Sequence, residues 1–329
     1  LTREYKFATK NNIRLDPQGL RRKEDFKKIT KPFVSRRKAF LLMAMRIIES
    51  AKKMQSYSES LRRQGKGIAF VPTMGYFHEG HFRLMKEAKK MADGVVVSIY
   101  VNPTQFGPKE DFSKYPRDLD RDLKMAQSAG VDVIFYPPDK EMYPAGYQTY
   151  VDVEKVTKNL CGMSRPGHFR GVTTVCCKLF NIVKPHVAVF GKKDFQQFVS
   201  IKRMVDDLNM DLQIIGLPTV RETDGLAMSS RNKYLQKNER PSALTLFKSL
   251  KLAQKLYSGG EKKSSVIINK VEKLIKRAPY TTIDYIKICS TKTLNNVEEI
   301  KSQSVIALAV KVGTTRLIDN HVFGDKLNV

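Results

Sequence analysis

Apolar positions along this chain alternate between short continuous runs and helical spacings of three and four, a rhythm that predicts strands and helices in turn. From Met45, the residues Ile47, Ile48, Ala51, Met54 and Leu61 fall on one helical face, and Gly65 and Gly67 end that helix. Ile68 to Val71 reads as a buried strand, Leu84, Met85, Ala88 and Met91 as a helix, and Val95 to Val101 as the next strand. A helix near Leu119 to Ala129, a strand at Val131 to Tyr136, a helix carrying Val172, Val175, Leu179, Phe180 and Val183, and a strand at Val187 to Phe190 continue the alternation. A helix with Phe195, Phe198, Ile201 and Val205 and a strand at Leu212 to Leu217 complete it. Strands alternating with helices predict a parallel sheet covered on both faces, the doubly wound, Rossmann-like α/β class.

Past Pro218 the pattern changes. A polar loop precedes two lysine-rich helices, Ala243 to Leu256 and Ser265 to Ala278, separated by Ser258-Gly259-Gly260, and strand-like runs follow at Ile283 to Ile288 and Val305 to Val312. The expected organisation is a Rossmann-like domain over 45–218 and a smaller α+β domain over 219–329. Residues 1–44 hold 13 Lys or Arg against 4 acids with little periodicity, and they read as a disordered, dispensable extension. Its acids at Glu4, Asp16, Glu24 and Asp25 argue against an organellar transit peptide.

Composition narrows the function. No run approaches the roughly 20 apolar residues of a membrane span. Cys161, Cys176, Cys177 and Cys289 form no CxxC pair, the usage of buried thiols in a reducing compartment, so a cytoplasmic protein is expected. The formal charge of +26 raises a nucleic-acid reading, but the lysines are scattered and no RNP-like strand, zinc-finger spacing or basic heptad accompanies them. The milder reading is a positive field that draws in an anionic nucleotide and an acidic substrate.

Two segments concentrate the chemistry, Val71-Pro72-Thr73-Met74-Gly75-Tyr76-Phe77-His78-Glu79-Gly80-His81 and Asp224-Gly225-Leu226-Ala227-Met228-Ser229-Ser230-Arg231-Asn232. The first lies where a strand turns into a helix, so backbone N–H groups and imidazoles can meet phosphate oxygens there. Gly75 and Gly80 would let backbone approach a nucleotide closely. The histidines are three apart, which excludes the HExxH zinc pattern; a bare HxGH could equally be two surface histidines. Gly191-Lys192-Lys193-Asp194 follows another strand and offers Lys192 for a β- or γ-phosphate, against the plain alternative of a solvated lysine pair. Gln105 in Asn102-Pro103-Thr104-Gln105-Phe106, and Gln197 beside Gln196, offer amides for a substrate with hydroxyls and a carboxylate. Ser229, Ser230 and Arg231 would clamp a triphosphate from a mobile loop. There is no GxxxxGK[ST] and no GxGxxG.

Together with MRIIES, YVNPTQFGPKEDFSKYPRDLDRD, RPGHFRGVTTV, FGKKDFQQ, PTVRETDGLAMSSRNKYL and KVGTTRLIDN, these segments resemble the pantothenate synthetase (pantoate–β-alanine ligase) family of the class I nucleotidylyl transferase superfamily, from about Met45 to Gly324. The resemblance implies that ATP and pantoate form pantoyl adenylate and pyrophosphate, and that β-alanine then attacks the acyl carbon to give pantothenate and AMP. By position it implies ATP contacts from Met74, Gly75, His78, Gly80, His81, Gly191, Lys192, Lys193, Asp194, Val220, Met228, Ser229, Ser230 and Arg231. His78 and Lys192 would lie on the phosphates, and His81 at the proton-donor position. Gln105 and Gln197 would hold pantoate, with Gln105 also near β-alanine. The resemblance further implies Mg2+ carried by the triphosphate without dedicated protein ligands, a lid role for 219–329, and a homodimer formed through the larger domain. Another HxGH nucleotidylyl transferase is the rival within enzymes, and an RNA-binding protein is the rival outside them.

Overall fold

The computed structural model describes residues 45–108 and 110–327; the expectations for 1–44 lie outside them. Six strands form one parallel sheet: β1 (Arg46–Ile48), β2 (Ile68–Thr73), β3 (Gly94–Ile99), β4 (Val133–Phe135), β5 (Val187–Gly191) and β6 (Gln213–Leu217), in the order β1-β4-β3-β2-β5-β6. Helices α1 (Ala51–Arg63), α2 (Glu79–Met91), α3 (Leu119–Ala129), α4 (His168–Val183) and α5 (Phe195–Asp207) intervene. Neighbouring strand residues alternate between two cores. Phe70, Val96, Val133 and Phe190 pack with Met54 of α1, Leu179 of α4 and Ile201 of α5, whereas Val71, Val97, Ile134 and Val189 pack with Met85 of α2 and Ala126 of α3. A sheet buried on both faces explains why its strands read as apolar runs.

The chain adds β3 and β4 on one side of β2, then crosses to place β5 on the other side. The gap between β2 and β5 is therefore the switch point at which open α/β sheets take ligands. β2 and β5 pair only at Ala69 with Val187 and Phe70 with Ala188, while β2 pairs with β3 along its whole length. Beyond Phe70 the two strands part. Pro72, which has no N–H to offer a ladder, stands past that last pair.

Arg46–Ile48 is a strand, where the spacing predicted helix. Ile47 is 48% exposed, and the segment pairs in parallel with Val133–Phe135. The helix begins only after Ser50, whose hydroxyl accepts from the N–H of Lys53. It ends at Arg63, with Gly65 at a φ of +69° just beyond.

Past β6, α6 (Thr245–Ser258) and α7 (Ser264–Lys276) cover one face of an antiparallel sheet of β7 (Thr281–Ser290), β8 (Ser304–Val312) and β9 (Thr315–Val322). The other face of that sheet packs on Phe195 and Val199 of α5. The apolar periodicity does not predict strand β9. Its inward positions alternate Thr315, Leu317, Asp319 and His321, so polar residues interrupt the apolar signal.

Candidate active site

The first chemical segment forms the N-terminus of α2. His78 is the N-cap: its Nδ1 accepts from the N–H of Gly80 at 3.1 Å, and Nδ1 of His81 accepts from the N–H of His78 at 3.3 Å. This is a capping box built from imidazoles in place of a hydroxyl and a carboxylate. An acceptor nitrogen carries no proton, so each neutral ring has its hydrogen on Nε2. Burial pushes the His78 pKa down to about 4, helped by Lys193, and pushes His81 well below the usual imidazole range. Both rings are neutral N–H donors at pH 7. Gly80 is required because a Cβ there would lie 2.8 Å from Cε1 of the folded-back His78 ring.

The turn before the helix is held from the side. The carboxylate of Asp122 on α3 accepts the N–H groups of Tyr76 and Phe77, each at 2.6 Å, while Tyr76 sits at a φ of +51° and Gly75 at +81°. Asp122 is 1% exposed, and burial raises its pKa against those two hydrogen bonds.

A cleft opens at the β2–β5 gap. Met74, His78, Gly80 and His81 line it with Gln105, Gly191, Lys193, Asp194, Gln197 and Val220, and with Met228, Ser229, Ser230 and Arg231. The Ser230 hydroxyl donates to the carbonyl of Tyr76 at 3.2 Å, closing the two segments on one another. The structure thus gathers most of the expected residues in one place. Gly75 faces Asp122 and Ile99 on the far side of the turn, and the Lys192 side chain runs along Gly216 of β6 beside the cleft. The two glutamines separate: Gln196 is 6% exposed and spends its amide on Cys161, Val156 and Asn159, which leaves Gln197 for the cleft.

Residues 46–322 match the family profile of Pantoate-beta-alanine ligase. The chain belongs to the pantoate–β-alanine ligase family. It is similar to the pantothenate synthetase of Syntrophus aciditrophicus, 64% identical over 285 residues that cover 87% of this chain and 100% of the relative. The Geobacter sulfurreducens pantothenate synthetase is 59% identical over 86% of this chain and 100% of its own. Among solved structures, the pantothenate synthetase of Thermus thermophilus superposes with a TM-score of 0.80 at 40% identity, covering 84% of this chain and 99% of that one. The Francisella tularensis pantoate-beta-alanine ligase, complexed with beta-gamma ATP and beta-alanine, superposes at 0.72 with 35% identity over 87% and 100%. This chain is an ATP-dependent ligase of pantothenate biosynthesis, and neither rival reading is favoured.

Several residues around this cleft carried no individual signal in the sequence. Asn102 donates to Oε1 of Gln105 and to the carbonyl of Gly171, both at 3.1 Å, and thereby orients the glutamine amide. His168 donates from Nδ1 to the carbonyl of Gln105 at 2.8 Å and accepts from Arg165 at 2.9 Å, because a carbonyl can only accept and a guanidinium only donate. Burial, then Arg165, holds the His168 pKa down at about 4. Glu110 grips Arg165 through two 2.6 Å contacts, and its neighbour Asp111 grips Arg231 at 2.8 and 2.9 Å. Both guanidiniums belong to the cleft wall. RPGHFRG holds Arg165 and His168, GPKEDF holds Glu110 and Asp111, and Asn102 opens NPTQF, but none of these five stood out from its motif.

Proposed function

We propose that the cleft activates pantoate with ATP and passes the acyl group to β-alanine. A pantoate carboxylate oxygen attacks the α-phosphorus, pyrophosphate leaves, and the β-alanine nitrogen then attacks the acyl carbon, expelling AMP and losing a proton. The observation that carries this reading is the pair of imidazoles whose Nδ1 atoms are tied to backbone N–H groups, on rings that line one cleft together with Ser229–Arg231. On this reading His78 and His81 donate through Nε2 to phosphate oxygens as charge develops, a preorganised electrostatic role. Lys193, Ser229, Ser230 and Arg231 bind the triphosphate, with Gly191, Asp194, Val220, Met228, Met74 and Gly80 shaping the nucleotide site, while Lys192 and Gly75, which lie outside the cleft lining, serve through the turns that carry those residues. Gln105 and Gln197 hold pantoate, and Gln105 also approaches β-alanine.

An ATP-dependent ligase works with a divalent cation, and we propose Mg2+. Among the described residues no three His, Cys, Asp or Glu side chains gather to hold a metal. On this proposal the ion is delivered on the triphosphate and coordinated largely by phosphate and water oxygens. We also read 45–218 as the nucleotide- and pantoate-binding domain, 219–329 as its lid, and the assembly as a homodimer through the larger domain, following the family resemblance. Four unpaired thiols favour the cytoplasm, and no helix of the described residues is long and apolar enough to cross a membrane.

The test is pyrophosphate release by the full chain with ATP, Mg2+ and pantoate, then with β-alanine added. Pantoate-dependent release that turns into sustained AMP and pantothenate formation is expected. Release without pantoate, or a nucleotide-linked product, would refute the reading.

A further inference from the structure

We infer that the consecutive residues Asp319 and Asn320 hold the two phosphate-facing loops in register, with Asn320 a positioning residue for the turn Lys192–Asp194. The inference rests on the proposed triphosphate role of those loops.

Strand β9 presents alternate residues to opposite sides. On one side the carboxylate of Asp319 takes two nitrogens of Arg221 at 2.6 and 3.0 Å, and both side chains are almost wholly buried. Arg221 also donates to the carbonyl of Gly225 and bridges Ala227, so it forms the root of the hairpin that delivers Met228 to Arg231 into the cleft. On the other side the Asn320 amide donates to the carbonyls of Lys192 and Lys193 at 3.0 and 2.7 Å. The backbone N–H of Asn320 is itself held by Asp319 at 2.9 Å. The turn at 192–194 has no side-chain cap of its own.

A peptide carbonyl and the following N–H point in opposite directions. Fixing the Lys192 and Lys193 carbonyls toward β9 therefore turns the N–H groups of Lys193 and Asp194 away from it. One amide that supplies two donors thus sets the orientation of two peptide planes in a turn whose Lys193 and Asp194 line the cleft. The adjacent carboxylate sets the opposing loop. Two adjacent residues on a paired strand cannot move independently, so the spacing between the two halves of the phosphate cradle is built into β9.

The experiment compares parent and Asn320→Asp in the two half-reactions. The variant keeps the shape of the side chain, loses both donors and sets a carboxylate against two carbonyls. Pantoate-dependent pyrophosphate release is expected to slow by about 30- to 100-fold, the scale of a misplaced reacting group, while capture of supplied pantoyl adenylate by β-alanine changes by less than about threefold. Asn320→Ala removes the donors without adding charge, and it keeps the test open if the buried carboxylate prevents folding. Pyrophosphate release within about twofold of the parent, a change too small for a positioning role, would overturn the inference. An equal loss in both half-reactions together with a lowered melting midpoint would also overturn it, as the mark of general destabilisation. A parent enzyme without pantoate-dependent release would instead sink the underlying proposal.

Discussion

His81 owes its chemical character to a single backbone hydrogen bond. Because Nδ1 accepts from His78, the ring offers Nε2–H, and burial keeps it neutral. His81→Ala is expected to slow pyrophosphate release by roughly 100- to 1,000-fold with an unchanged circular dichroism spectrum, since a preorganised donor is lost. The acid limb of the pH–rate profile should show no break near 6.5 from either imidazole, because His78 titrates at about 4 and His81 below the usual range as well. A break near 6.5 that disappears in His78→Ala would contradict that. Gln105→Ala, which also takes one of the two acceptors from the Asn102 amide, should raise the KM for pantoate roughly 10-fold or more and leave the KM for ATP nearly unchanged. Initial-rate kinetics with each substrate varied in turn would show whether it does. The HxGH pair, the lysine turn and MSSR were legible in the sequence because each joins unusual residue types at a strand-to-helix junction or in a polar loop. Asp122 was not legible: within Asp118-Leu119-Asp120-Arg121-Asp122 it looks like one more exposed helical acid, and only the packing of α3 against the Tyr76 turn buries it.

At the level of elements, the turn before α2 and the hairpin rooted at Arg221 both depend on carboxylates brought from elsewhere in the chain. Asp122→Asn leaves an amide where two N–H groups converge, and one of them loses its acceptor. About 1–3 kcal/mol of stability should go with it, seen as a lower urea midpoint, together with weaker ATP use. Asp319→Ala abandons a buried guanidinium, for which about 3–5 kcal/mol is the usual cost. Chemical denaturation would measure that loss, and a midpoint equal to the parent's would show that Arg221 finds another partner. The parallel sheet was readable because strands buried on both faces are apolar runs. β1 is too short to display a period of two and merged into the helix after it, whereas β9 hid because Asp319 and His321 occupy core positions.

For the whole molecule, all five histidines, at 78, 81, 168, 186 and 321, have pKa values lowered chiefly by burial, three of them to about 4. Folded imidazoles resist a proton that unfolded ones accept below about 6.5, so between that pH and about 4 the unfolded chain binds more protons and stability falls as pH falls. Above 6.5 both states are neutral and the contribution vanishes. A urea midpoint that drops between pH 7.5 and pH 5, with a shallower drop in His321→Gln, is the expected result; equal midpoints would refute it. The basic balance of the chain, +17 once the +9 of residues 1–44 is set aside from +26, gives the surroundings of the cleft a positive bias. The cleft itself is less naked than that charge implies. Glu110 and Asp111 already occupy Arg165 and Arg231, so on the proposed triphosphate role of Arg231 an incoming nucleotide would have to swap with the resident Asp111 carboxylate, as a solute does on an ion-exchange resin. Nucleotide affinity is then a difference between two ion pairs, both weakened by salt, and the KM for ATP should rise less with ionic strength than it would at a bare cationic site.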